Sequence, residues 1–313
     1  MRRFLLKTAA ALLIILALHA VAGQFADGCF DAYYLRFTGE RQGSLILGTS
    51  RAAQGLRPAV MAMERGGHRS DVPFNFAFTI GHSPYGPTYL HAVRAKLDTT
   101  EHDGTFIVTV DPWSLCDDIQ ADIGPGTMPE DRLQLGEQWT FNGDPNYEYL
   151  VRNTTAGWGS FIGGPLHHMD TMMILHRDGW LQVRVRLDSA AVAERMAKKM
   201  EHYRKEMLPT HRPGTTRMQY LEELLELLGA HGQPFLVRLP VCDAMVRIEE
   251  ELWPGFDATL ASIAVKHGLP YWNLMPDRNR YTYTDGNHLD TTSARVLSAE
   301  LARRIAATDN SGR

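Results

Sequence analysis

Apolar residues fall along this chain in one long block and several short ones. The long block comes first: Thr8 to Gly23 is uncharged and apolar, and Arg2, Arg3 and Lys7 precede it. Later, Ser44 to Gly48 (SLILG) is a short apolar run closed by a glycine, the pattern of a parallel strand buried on both faces. Phe74 to Phe78 (FNFAF), Thr105 to Val110 (TFIVTV), Pro234 to Val241 (PFLVRLPV) and Tyr271 to Leu274 read the same way. Between these runs the pattern turns helical. A helix is predicted from near Leu56-Arg57-Pro58, with proline in its first turn, to Arg65, where Gly66-Gly67 stops it. Others are predicted over Tyr89 to Leu97, Asp188 to Met207 with Asp188 or Ser189 as cap, and Thr215 or Thr216 to Leu228. Met245 to Trp253 and Phe256 to His267 follow, divided at Pro254-Gly255, and Thr292 to Ala306 closes the chain. From Cys116 to about Trp180 no period holds, and Gly, Pro, Asp, Asn and Trp dominate. A structureless loop of that length is uncommon in a compact domain. An insertion with short elements of its own is therefore expected, a lid or a substrate platform.

Strands alternating with helices predict an α/β fold. The expected form is three-layer α/β/α, with a central parallel sheet of about five strands and an irregular insertion after the third. The expected organisation is a signal anchor or signal peptide over 1–24, a linker over 25–43, and one catalytic domain over 44–310 with its insertion at 116–185.

Positive charge ahead of an apolar run marks a secretory signal or anchor, and the positive-inside rule puts the rest of the chain outside the cytoplasm. The run falls somewhat short of the roughly 20 residues that span a bilayer. Adding Phe4 to Leu6, with Lys7 snorkelling to the headgroups, closes the gap and favours an anchor. Ala20-Val21-Ala22 fits a small-x-small cleavage site, so a cleaved signal and a secreted domain is the alternative. The remaining bulk properties exclude more than they assert. A chain of 313 residues, 44% hydrophobic and 22% charged, is ordinary globular material. With 32 basic and 36 acidic side chains the net charge is −4, and no long basic run points to a nucleic-acid partner. Cys29, Cys116 and Cys242 are too widely spaced for a metal pair or a small disulfide framework, and read as structural. His167-His168 with Asp170 fits no strong metal motif, and neither metal nor cofactor is expected.

Ligands of open parallel sheets bind beyond the carboxyl ends of the strands. Just past the first strand stands Gly48-Thr49-Ser50-Arg51. A serine at a strand-to-helix turn has its hydroxyl at the mouth of the crevice, and the N–H groups opening the next helix can face a developing oxyanion. Taken alone, Ser50 reads first as a helix-capping serine. Past the last strand comes Asp285-Gly286-Asn287-His288-Leu289-Asp290. A spacing of three in a glycine-containing turn can bring the carboxylate to the imidazole, which is what a serine nucleophile needs of its base. The order Ser, Asp, His is that of the α/β hydrolases.

The stretches LILGTSRAAQGLRP around Ser50, FNFAF with Asn75, TVDPW with Asp111 and Trp113, and DGNHLD with Asp285 and His288 carry a resemblance. The chain resembles the SGNH (GDSL-like) hydrolase superfamily. More narrowly, it is similar to the superfamily's membrane-anchored bacterial envelope members, such as proteins of lipoteichoic-acid D-alanylation and alginate O-acetylation. The resemblance implies Ser50 as nucleophile, His288 as base and Asp285 as its orienter. It implies a serine esterase or O-acyltransferase acting on an acylated cell-envelope polysaccharide or related ester, with a membrane-bound O-acyltransferase as possible partner. The alternative is an inactive module that binds a polymer or an assembly partner. Departures from the family pattern concern the oxyanion hole. Thr49 stands where an aspartate is usual, Asn75-Phe76-Ala77 where a glycine N–H is usual, and Asp111 where an asparagine is usual; an ionised carboxylate cannot donate. Ser50 N–H plus one further donor is expected, with Ala77 and Asn75 as candidates. Arg51 is expected to hold an anionic or acyl substrate, or else to form a salt bridge. Trp113, Tyr85 and Trp180 either line a sugar site or pack beneath the insertion. Arg238, inside an apolar strand, requires a carboxylate partner. Glu249-Glu250-Glu251 reads as a solvated helix face.

Overall fold

The computed structural model describes residues 1–64, 72–121, 124, 126–153, 159 and 172–311. Strands β1 (Leu45–Leu47), β2 (Phe74–Asn75), β3 (Gly104–Thr109), β4 (Cys116–Asp118), β5 (Met173–Leu175), β6 (Leu181–Val183), β7 (His211–Pro213), β8 (Gly232–Arg238) and β9 (Tyr271–Asn273) follow one another along the chain. Five of them form the central sheet in the order β2-β1-β3-β8-β9, parallel throughout. The apolar runs are continuous because both faces are covered: Leu45, Ile46, Leu47, Phe106, Ile107, Val108, Phe235, Leu236 and Val237 are all inaccessible to solvent.

The labelled helices are α1 (Arg2–Gly23), α2 (Ser50–Gly55), α3 (Pro58–Glu64), α4 (Pro87–Lys96), α5 (Tyr147–Asn153), α6 (Ser189–His202), α7 (Thr215–Gly229), α8 (Asp243–Leu252), α9 (Phe256–His267) and α10 (Thr291–Ser311). Helix α10 packs with α2 and α3, while α7 packs with α4 and α9, as a sheet covered on both sides requires. The fold is therefore α/β with an all-parallel central sheet. From β1 the chain steps outward to β2, then crosses back to β3, so the switch point lies between β1 and β3.

Several expectations change at this level. The helix expected to begin near Leu56 is α3, opened by Pro58, and a helix that was not expected, α2, precedes it. Helix α2 starts at Ser50 itself, and Pro58, lacking an N–H, opens α3 rather than continuing α2. The second strand shortens from Phe74–Phe78 to Phe74–Asn75. Phe76 and Phe78 still donate to Ile46 O and Gly48 O, but on the outer edge Asn75 N–H is taken by Asp178 O, from the turn joining β5 to β6. The segment expected as a linker, 25–43, is packed into the domain: Tyr34, Arg36 and Phe37 are buried. Asp31 Oδ1 accepts from the N–H groups of Tyr33 (2.7 Å) and Tyr34 (2.8 Å) and from Tyr149 Oη (2.7 Å). The insertion is longer than its sequence pattern indicates. Strand β4 pairs antiparallel with β7, so the excursion that leaves at Cys116 returns only at Pro213 and carries α6 within it. Helix α1, 22 residues long, is apolar enough to cross a membrane and is exposed except at Ala22 and Gly23.

Candidate active site

Strand β1 is followed by Gly48, whose φ of +136° and contact with β3 both exclude a side chain: a Cβ there would lie 1.9 Å from Thr109 Oγ1. The turn is pinned from three sides. Gly48 N–H donates to Tyr89 Oη (3.0 Å), and Gly48 O accepts from Ser83 Oγ (2.7 Å). Thr49 Oγ1 donates to Asp111 Oδ2 (3.1 Å), past the end of β3. Ser50 then opens α2 at the switch point, where the crevice of such sheets lies. The N–H groups of Ala52 and Ala53 return to Thr49 O, whereas those of Ser50 and Arg51 have no partner among the described residues.

The second half of the site is the turn after β9. Asp285 Oδ1 accepts from the backbone N–H of Asn287 (3.0 Å) and of His288 (2.9 Å), closing the turn locally. Gly286 sits there at φ +82°, and a Cβ would meet Cys242 Sγ at 2.8 Å. His288 Nδ1 lies 2.9 Å from Asp285 Oδ2, and His288 Nε2 lies 2.8 Å from Ser50 Oγ. The carboxylate only accepts, so Nδ1 carries the proton and Nε2 is left to accept from the serine. His288 is buried and Ser50 partly exposed. Burial would raise the Asp285 pKa, but the hydrogen bond and charge of His288, with Lys199 Nζ 3.5 Å away, outweigh it and hold the carboxyl far below its ordinary value. Ser50, Asp285 and His288 are thus brought together as a hydrogen-bonded chain.

The other candidate residues do different work. Arg51 is not an open cation. Its Nε donates to Asn287 Oδ1 (2.9 Å), and its Nη2 lies 2.5 Å from Glu249 Oε1. That contact is a buried ion pair, and Arg51 Nη1 has no hydrogen-bond partner among the described residues. Burial works against the charge, but Glu249 first and Asp111 second raise the Arg51 pKa above its usual range. The other oxygen of Glu249 takes Arg238 Nη2 (2.7 Å), and Arg238 Nη1 reaches Asp257 Oδ2 (2.5 Å). Arg238 therefore has the carboxylates its strand position demands. Glu249 is fully buried, which corrects its reading as part of a solvated face; Glu250 and Glu251 are exposed. Ile248 and Glu249 follow Met245 by three and four residues, about one helical turn, on the buried side of α8, a signal that was present in the sequence.

Asn75 is not a free donor. Both protons of Nδ2 are committed, to Ala52 O (2.9 Å) and Leu56 O (2.8 Å), and its Oδ1 takes Ala77 N–H (3.2 Å). It staples β2 to the end of α2, and it occupies the Ala77 donor as well. Asp111 accepts from Thr49 and from Ser114 N–H (3.0 Å), so it braces the turn before Ser50 and caps the turn at 112–115. Trp113 is buried against Tyr203, ring centroids 4.7 Å apart, within a cluster that includes Val241, Met245 and Ile248. Tyr85 donates to Thr109 O, and Trp180 Nε1 donates to Gln54 O (2.9 Å), so these rings pack rather than line a sugar site. His167, His168 and Asp170 lie outside the described residues. Cys116 and Cys242 are free thiols.

Asn287 is the residue that sequence reasoning missed. Arginine only donates, so its contact turns Asn287 Oδ1 toward Arg51 and leaves Nδ2 facing His288 Nε2 at 3.4 Å, too long for a firm bond. Nothing in the local pattern distinguishes this asparagine from a turn residue. Beside Asp285 a cavity of about 310 Å³ is lined by Arg195, Lys198, Lys199 and His202. Roomier cavities of about 470 and 580 Å³ lie elsewhere, and none of the three linked residues lines them. Neither a family model nor a curated protein matches the chain.

Proposed function

We propose that this chain is a serine-dependent esterase or O-acyltransferase of the SGNH-like kind, held at the membrane by α1 with its domain outside the cytoplasm. The observation that carries this reading is the chain Ser50 Oγ, His288 Nε2, His288 Nδ1, Asp285 Oδ2, with successive contacts of 2.8 and 2.9 Å. Ser50 Oγ attacks an ester carbonyl carbon while His288 Nε2 takes its proton. Asp285 stabilises the imidazolium, which then protonates the leaving alcohol. Water or a second alcohol, deprotonated by the same nitrogen, resolves the acyl-serine. Water makes the protein an esterase; a sugar hydroxyl makes it a transferase. Ser50 N–H and Asn287 Nδ2 are the donors best situated for the oxyanion. An acylated envelope polysaccharide as substrate, and a membrane-bound O-acyltransferase as acyl-donating partner, rest on the family resemblance.

A second reading, a non-catalytic module binding a polymer or an assembly partner, draws on a specific observation: the Asn75 and Ala77 donors are occupied, and Asp111 stands in place of an asparagine. A fluorophosphonate probe separates the two. Labelling of the wild-type protein that vanishes in Ser50→Ala supports the enzyme. A folded wild-type protein that resists the probe and hydrolyses no chromogenic ester supports the module. Following acetyl from such an ester to water or to an oligosaccharide distinguishes esterase from transferase.

A further inference from the structure

The last turn of α1 is gripped by the insertion. Tyr147 Oη donates to Ala20 O (2.9 Å) and accepts from Gln24 Nε2 (3.1 Å). Gly23 is packed so closely that a Cβ would lie 2.7 Å from Tyr147 Cε1 and 3.2 Å from Leu150 Cδ1. Just beyond, the chain enters the domain without slack, because Asp31 anchors the backbone at Tyr33 and Tyr34, and Gly28 O accepts from Leu175 N–H (2.8 Å). At about 1.5 Å per residue α1 is about 33 Å long, close to the ~30 Å hydrocarbon core of a bilayer. Whatever touches its last turn therefore stands at the depth of the headgroups.

The surface at that level has the composition such a depth requires. Trp139 is 79% exposed, Val151 78%, Phe25 47% and Tyr147 41%. Tyr147 and Val151 are one helical turn apart on α5. Trp139 is tied to the same helix: its N–H donates to Glu148 Oε1 (3.0 Å), and the Arg152 guanidinium lies 4.9 Å from its ring centroid. Indole and phenol rings favour the membrane–water boundary, where one end of the ring is apolar and the other wet. Arginine there can meet lipid phosphates. We propose that Phe25, Trp139, Tyr147 and Val151, with Arg152, form a bilayer-contacting face, so that the insertion rests in the headgroup layer and holds the domain at a set orientation to the membrane. The occupant is lipid, because the face is continuous with the helix that enters the lipid. This inference does not depend on the serine chemistry.

The test uses the full chain reconstituted into phosphatidylcholine vesicles, as wild type and as Trp139→Phe. The difference between their emission spectra isolates Trp139 from the other tryptophans. Lipids brominated near the headgroup end of the acyl chain are expected to remove most of this difference signal, and lipids brominated near the chain terminus much less of it. A Trp139 signal equally strong with and without bromine overturns the proposal. So does a blue-shifted signal that bromine does not touch, which would mean a protein cover such as a second copy. Recovery of the chain outside the vesicles after an alkaline wash overturns the premise that α1 inserts, and the proposal with it.

Discussion

Arg51 and Arg238, beside the candidate site, share the carboxylate of Glu249, whereas Arg36 and Lys96, beneath the segment that follows α1, are held by backbone carbonyls. Arg36 donates to Asn75 O (3.2 Å), Ala32 O (3.2 Å) and Gly179 O (2.8 Å). Lys96 Nζ donates to Thr38 O (2.6 Å) and Phe141 O (3.3 Å). All four cations are almost inaccessible to solvent. Burial disfavours charge in every case, yet the outcomes diverge. It lowers Arg36 to about 10 and Lys96 to about 8, while at Arg51 and Arg238 the charge of Glu249 outweighs it and raises both. Carbonyl dipoles satisfy donors but return only part of the lost hydration; a carboxylate returns more and also fixes direction. The site region is therefore held through paired charge, and the region after α1 through donors tying separate segments together at the expense of the cation's own stability.

The comparison breaks most visibly at Glu249. Glu249→Leu leaves two buried guanidinium groups short of a carboxylate, and denaturant unfolding should show a loss of about 3–5 kcal/mol. A loss comparable to that of an exposed substitution would mean that the network relaxes into water, and the contrast would fail. Asn287→Ala should cost about 1–3 kcal/mol, because Arg51 Nε is then buried without an acceptor. If Asn287 Nδ2 also serves the oxyanion, kcat falls well beyond what the stability change explains while KM holds. An unchanged kcat confines Asn287 to bracing the turn.

The smallest effect is expected at Lys96. Lys96→Met should change stability at neutral pH by only about 1 kcal/mol, since the cost of a buried cation and the gain of its hydrogen bonds nearly offset. The pH dependence is more telling. The folded pKa, about 8, lies below the ordinary 10.5, so between those values the unfolded chain binds more protons and wild-type stability rises with pH. Thermal unfolding followed across that window should show a steeper rise in the wild type than in Lys96→Met. An identical slope in both proteins would remove Lys96 from the account.

Local pattern carried much of this molecule. The runs at Ser44–Gly48, Thr105–Val110 and Pro234–Val241, which contain most of β1, β3 and β8, were legible as buried parallel strands because neither face needs polar residues, and α9 because its ends carry their own stop signals. Asp285 and His288 were legible as a pair because their bonds close within one turn. Ser50 was legible because a strand-end rule marks the place where a hydroxyl would meet them. The linker reading of 25–43 failed because nothing in its mixed composition says that Asp31 and Arg36 find partners in the insertion. Asn75 looked available because a sequence does not display which acceptors lie across the next helix.

Composition and periodicity by themselves determined the apolar N-terminal helix, the alternation of parallel strands with helices, and the residues that stand beyond the carboxyl ends of the strands. Only the tertiary structure decided that Glu249 is buried between two arginines, that Asn75 and Ala77 are occupied with each other and with α2, and that the insertion grips the base of α1. The physical reason is range. Backbone conformation and capping answer to neighbours within a turn or two, whereas the partner of a buried donor or charge is set by which distant segment packs against it.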